Sequence, residues 1–223
     1  MTAIDFSAFD VLTFDTYGTL IDWESGILTA LHPVLAAHGV AADDETLLER
    51  YGRHESALEA GPYLPYREVV GRALGGIGAD LGFEPAAAEI AAFADSADAL
   101  ARLHTRFRLA AITNCDDDLF ARSEQRLGLR FDWVITAQQA RSYKPSTNNF
   151  DVAFATLGVA RERILHVAQS LFHDHVTAQR LGLTSVWINR RAGRTGDGAT
   201  PRAQAAPDLE LPDLRSLADL LTG

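Results

Sequence analysis

The sequence predicts an α/β protein, a doubly wound parallel sheet with a helical cap inserted after its first strand. Three observations predict it. Short apolar runs of strand length alternate with helical stretches. The span from Leu20 to about Thr105 carries helical periodicity and no convincing strand. Several polar residues directly follow the strand-like runs, where open parallel sheets bind their ligands. At 223 residues the chain can hold a main domain and a smaller inserted one. The expected boundaries are residues 1–20 and 97–223 for the α/β core and 21–96 for the cap.

In chain order, the expected core strands are Val11–Phe14, Leu109–Thr113, Trp133–Thr136, Ile164–Val167 and Ser185–Ile188, each an apolar run too short for a helix. The cap helices are expected over Trp23–His38, Glu45–Glu59, Tyr66–Leu81 and Pro85–Leu103. Asp44 is the expected N-cap of the second, and Gly61-Pro62 and Leu64-Pro65 punctuate the approach to the third. Arg190–Pro207, with Gly193, Gly196 and Gly198, reads as a mobile surface loop before a last short strand and helix over Leu209–Leu221.

The composition is 47% hydrophobic and 22% charged, that of an ordinary globular protein. Thirty acidic against twenty basic side chains give a net charge of −10, which disfavours nucleic acid and anionic membrane surfaces. An anionic small-molecule substrate would need a locally built site. Cys115 is the single cysteine, so no intramolecular disulfide forms. The N-terminus has neither a basic region nor a long apolar stretch, and no run approaches the roughly 20 apolar residues of a membrane span. A cytoplasmic location is expected.

The string Phe14-Asp15-Thr16-Tyr17-Gly18-Thr19-Leu20 places a carboxylate at the end of a buried strand, with a glycine turn and a hydroxyl behind it. Gly18 frees the backbone so that following N–H groups can turn toward an anion. A strand-end Asp alone is equally a turn former. The whole string resembles the first motif of the haloacid dehalogenase (HAD) superfamily. Three further pieces resemble that family's motifs in order: Ala111-Ile112-Thr113-Asn114, then Ser142-Tyr143-Lys144-Pro145, then His166-Val167-Ala168-Gln169-Ser170-Leu171-Phe172-His173-Asp174. The resemblance implies a hydrolase whose nucleophile is Asp15. Covalent catalysis of this kind divides one difficult displacement into two easier ones. Lys144 would supply the cation that favours a charged carboxylate. Thr19 would support Asp15, and Lys144 and Asp174 would position or deprotonate water. Thr113 and Asn114 would grip the substrate's anionic group, with Tyr17, Gln169 and Ser170 also against the substrate.

Phosphatases of the superfamily resemble one another in a second Asp two residues after the nucleophile; this chain has Tyr17, a poor acid with a reference pKa near 10. Gln169 stands where a magnesium-holding carboxylate is typical, leaving Asp15 and Asp174 as the only candidate Mg²⁺ ligands. No cofactor is expected, and Mg²⁺ only if the chain is a phosphatase. Both departures suit a leaving group that needs no proton, such as halide. The form Asp15-x-Tyr17-Gly18-Thr19 and the string Trp187-Ile188-Asn189-Arg190 resemble L-2-haloacid dehalogenases in particular, which implies a small 2-haloalkanoate as substrate. A phosphatase acting on a small phosphate ester and a non-catalytic HAD-like protein are the alternatives. The same resemblance implies a cap arginine for the halide, with Arg50 preferred over Arg53, and is compatible with a homodimer through the cap. The cap-to-core return lacks the family's proline- and aromatic-rich crossing, so its hinge is expected in Phe93–Ser96 or the linker is shortened. His173-Asp174-His175 is read against as a metal cluster, because neighbouring residues on a helix point apart. Cys115 is read as packing, and Trp23, Tyr63 and Tyr66 as either cleft lining or cap packing.

Overall fold

A computed structural model describes residues 4–81, 91–92 and 95–223. The strands are β1 (Val11–Phe14), β2 (Ile21–Asp22), β3 (Ala91–Ala92), β4 (Arg108–Thr113), β5 (Trp133–Thr136), β6 (Ile164–Ala168), β7 (Ser185–Ile188) and β8 (Leu209–Leu211). Six of them form one parallel sheet in the order β5-β4-β1-β6-β7-β8. All four residues of β1 are buried, as expected of a central strand covered on both faces. Alternate residues serve opposite faces. Leu12 and Phe14 join a cluster with Leu100, Phe120 and Leu217, while Val11 joins Ile112, Phe150 and Ala178.

The helices over those two faces are α4 (Ser96–His104), α5 (Asp117–Leu127) and α9 (Leu214–Thr222) on one side and α7 (Thr147–Leu157) and α8 (Val176–Leu181) on the other, with short α6 (Ala137–Ala140) after β5. From β1 the chain proceeds to β4 and β5 on one side, then to β6, β7 and β8 on the other. The carboxyl end of β1 is therefore a topological switch point, where such sheets place ligands.

Above it lie α1 (Trp23–Ala37), α2 (Asp44–Glu59) and α3 (Tyr66–Leu81). Their apolar faces make a separate core from Ile27, Leu31, Leu47, Leu48, Tyr51, Leu74 and Ile77. The N-cap of α2 is Asp43, not Asp44: its carboxylate accepts from the Thr46 N–H at 2.9 Å, the spacing that satisfies an orphan donor of the first turn. The helix expected over Pro85–Leu103 is also corrected. Ala91–Ala92 pairs antiparallel with Ile21–Asp22, joining the chain's exit from the core to its return, and α4 starts only at Ser96. The rest of that expected helix before Asp95, and Phe93 of the expected hinge, lie outside the described residues.

Arg190–Pro207 is not a free surface loop. Arg191 donates to Glu24 at 2.6 Å and to Glu45 at 2.5 Å, and Ala199 is buried in the cap core. Arg190 donates to the Thr19 carbonyl at 2.9 Å and to Asp95 at 2.8 Å. The segment thus straps the cap to the core through charge-assisted bonds. Sequence reading missed this because its glycines and polar residues look like any solvated loop.

Candidate active site

Asp15 leaves β1 where the chain turns at Gly18, whose φ of +90° is one that L side chains rarely adopt. A Cβ there would also meet the Gln169 amide oxygen at 2.9 Å. The turn returns Thr19 beneath the Asp15 carboxylate: its hydroxyl donates to Asp15 Oδ2 at 2.7 Å and accepts from the Gln169 N–H at 2.7 Å. Lys144 reaches Asp15 Oδ1 from the other side, at 2.8 Å.

Lys144 is fully buried, and its three donors have three acceptors: Asp15, Asp174 and the Ile112 carbonyl, each at 2.8 Å. Burial pulls its pKa down, but the Asp15 and Asp174 carboxylates outweigh burial and hold the ammonium above its ordinary value. Burial pushes Asp174 up, and Lys144 and His166 more than reverse it, so this carboxyl lies well below the usual range. A chain of buried polar groups therefore runs from Thr13 through His166 (2.8 Å) and Asp174 (3.0 Å) to Lys144 and Asp15. Among the described residues Asp174 Oδ2 has no hydrogen-bond partner.

The cap closes over Asp15 and leaves a cavity of about 30 Å³, lined also by Tyr17, Trp23, Asn114, Lys144, Ser170 and Thr200. Glu55, Glu59, Tyr66 and His173 complete its walls. The space holds about one or two waters. The cavity is neither gaping nor apolar.

The expected site residues divide. Asp15, Thr19, Lys144 and Asp174 are brought together, and Tyr17, Asn114 and Ser170 line the cavity. Tyr17 stacks on Tyr66 and its hydroxyl lies 3.2 Å from Ser123, with burial pushing its pKa far up, so it cannot replace the acid of a phosphatase. Asn114 is held by Glu59 (3.3 Å) and by the Lys144 backbone. Ser170 engages the His173 ring at 3.1 Å. Thr113 is buried against Cys115 and is not among the lining residues. The Gln169 side chain lies against Gly18 in a neighbouring hollow with Trp23 and Arg190. Arg50 lies 3.5 Å from Asp80, which also binds Arg53, and neither arginine lines the cavity. The Cys115 thiol is pushed up to about 12 by burial, which fits inert packing.

Sequence reading missed His166, His173, Glu55 and Glu59 as functional candidates. The two glutamates carried a legible signal: they continue the buried α2 face of Leu48 and Tyr51 at helical spacing, where a carboxyl is unusual. Glu55 accepts from Tyr51 at 3.0 Å and from Tyr66 at 2.8 Å. Burial, then the neighbouring Glu59, push it up to about 8.

The donor set suits a divalent cation poorly. Asp15 and Asp174 already share the Lys144 ammonium, and Gln169 offers a neutral amide turned elsewhere. Among the described residues no three His, Cys, Asp or Glu side chains converge as a ligand set.

The family model described as haloacid dehalogenase-like hydrolase matches residues 12–188, from β1 through β7. The chain belongs to the haloacid dehalogenase-like hydrolase family. Among its relatives is an (S)-2-haloacid dehalogenase of Pseudomonas sp. (strain YL), 30% identical over 134 residues, a match covering 59% of this chain and 55% of the relative. Another is the 5-amino-6-(5-phospho-D-ribitylamino)uracil phosphatase YigB of Escherichia coli (strain K12), 32% identical over 129 residues, covering 56% of this chain and 50% of the relative. Each match thus spans about half of the relative's length. The L-2-haloacid dehalogenase of Xanthobacter autotrophicus, solved with chloropropionic acid covalently bound, shares the fold of this haloacid dehalogenase-like hydrolase at TM-score 0.75 and 21% identity, over 96% of this chain and 99% of that one.

Proposed function

We propose that this chain hydrolyses small 2-haloalkanoic acids to 2-hydroxy acids through an ester on Asp15. The observation that carries the reading is the Asp15–Lys144–Asp174 constellation, with an ammonium where the nucleophile needs a fixed cation and Tyr17 at the position two residues on where the superfamily's phosphatases carry an acid. An Asp15 oxygen bonds to C2 as the carbon–halogen bond breaks and halide departs with the electron pair. Water then adds to the Asp15 carboxyl carbon, the bond from that carbon to the ester oxygen breaks, and 2-hydroxy acid is released with one proton. Lys144 stays protonated, so its part is to hold charge and orientation rather than to take a proton. Asp174 acts behind it, fixing the ammonium beside Asp15 through a bond of 2.8 Å. Relatives with dehalogenase names support the substrate class.

The test is halide release from L- and D-2-chloropropionate by the wild type and by Asp15→Asn, with p-nitrophenyl phosphate plus Mg²⁺ in parallel. Metal-independent halide release lost in the variant, with heavy oxygen from labelled water entering Asp15 in a single turnover, is the expected result. Phosphate release without halide would replace this reading with the phosphatase one.

A further inference from the structure

The roof of the cavity poses an electrostatic problem. Four carboxyl groups are buried close together, Asp15 from the core and Glu55 and Glu59 from α2 around one small space and Asp174 behind Lys144, with Lys144 and His173 as the cations beside them. Three of the four have donors that suit a carboxylate. Asp15 has Lys144 and Thr19, Asp174 has Lys144 and His166, and Glu59 has both of its oxygens 3.3 Å from the Asn114 amide nitrogen and one 3.5 Å from the His173 ring.

Glu55 differs. It is 3% exposed, and among the described residues its hydrogen bonds come from hydroxyls, Tyr51 at 3.0 Å and Tyr66 at 2.8 Å. Both contacts fall on the same oxygen, Oε1, so a proton on Oε2 leaves them as they are, in a side chain that lines the cavity. The His173 ring, whose Nε2 lies 3.5 Å from Glu59, borders the same space.

We infer that Glu55 is a protonated, hydrogen-bond-donating contact for the anionic end of the substrate, taking the place of a cap guanidinium. The inference rests on the proposed substrate class. A neutral carboxylic acid can be buried without the cost of an unpaired charge and still offers an O–H to a carboxylate or departing halide. Its rise to about 8 agrees with that state at neutral pH. The groups that face it are Tyr51 and Glu59 from α2, Tyr66 from α3, His173 after β6, and Lys144, Asp15 and Tyr17 from the core. Because the neutral form is the one that donates, substrate handling is lost as pH rises, and the glutamine variant should preserve it: its amide oxygen accepts from both tyrosines and its NH₂ points where the O–H did.

The test compares wild type, Glu55→Gln and Glu55→Leu, each checked for folding by circular dichroism, in halide release and in calorimetric binding of 2-hydroxypropionate between roughly pH 6 and roughly pH 10. The expected result is a wild-type kcat/KM falling about tenfold per pH unit above its midpoint, a Glu55→Gln enzyme within about fivefold at neutral pH with no such fall, and a Glu55→Leu loss of at least about tenfold. An inactive Glu55→Gln, or one that keeps the alkaline fall, overturns the inference. If no variant releases halide, the function proposed above fails by itself. The binding arm then decides: pH-dependent binding in wild type and pH-independent binding in Glu55→Gln upholds the donor, and identical pH profiles overturn it.

Discussion

Lys144 illustrates how a single buried charge can be required and costly together. Its ammonium neutralises two carboxylates that could not otherwise share this space, and its three bonds leave it no unsatisfied donor. Lys144→Met should abolish turnover and destabilise the fold by about 3–5 kcal/mol in urea titration, because Asp15 and Asp174 would face each other without a cation. Asp15→Asn should be inactive yet fold with a loss below about 2 kcal/mol, since an amide oxygen can still accept from Lys144. Such a contrast would separate the proposed nucleophile from the cation that holds it.

Among the elements, the strap over Arg190–Pro207 explains how a small cavity stays closed. Arg191 grips α1 and α2 through Glu24 and Glu45, the Gly198 and Ala199 N–H groups donate to the same two glutamates, and the strap backbone lies so close to α2 that a Cβ on Gly52 would sit 2.6 Å from the Ala199 carbonyl oxygen. Arg191→Ala should cost about 2 kcal/mol and make the strap a preferred tryptic site, read by limited proteolysis. Gly52→Val should displace the strap by overpacking, at about 1–3 kcal/mol, while leaving the Asp15–Lys144 pair intact. If the strap proves as protease-resistant in either variant as in the wild type, its role in closing the cap is wrong.

The whole molecule couples folding to proton binding in two opposing ways. Glu55 has a folded pKa above its unfolded value, so the native state keeps a proton that the unfolded chain releases, and stability falls as pH rises from the ordinary carboxylate range toward about 8. Asp174 is depressed, so its contribution is present above the ordinary carboxylate range and lost as pH falls below it. His173 is raised despite its burial, chiefly by Glu59, and adds to the loss on the alkaline side. Urea midpoints should therefore pass through a maximum in mildly acidic solution. Glu55→Gln should flatten the alkaline slope, and an unchanged slope would assign it to other groups.

Much of this protein was legible before any coordinate, and the reason lies in locality. The five strands expected in the core appear within a residue of their observed ends, because a strand buried on both faces must be written as a short apolar run. Asp15, Thr19, Lys144 and Asp174 were legible because each stands in a motif whose neighbours are fixed by a turn or a strand end. What only the tertiary structure decided depends on groups far apart in sequence. Glu55 acquires its character from Tyr66 on another helix and from the neighbouring Glu59, the strap becomes ordered only against Glu24 and Glu45, and Arg50 turns to Asp80. The periodicity of α2 states that Glu55 faces inward, but not which donors wait there. Burial without knowledge of partners leaves a carboxyl's charge undetermined, because the free energy of ionisation is set by the groups folding brings around it.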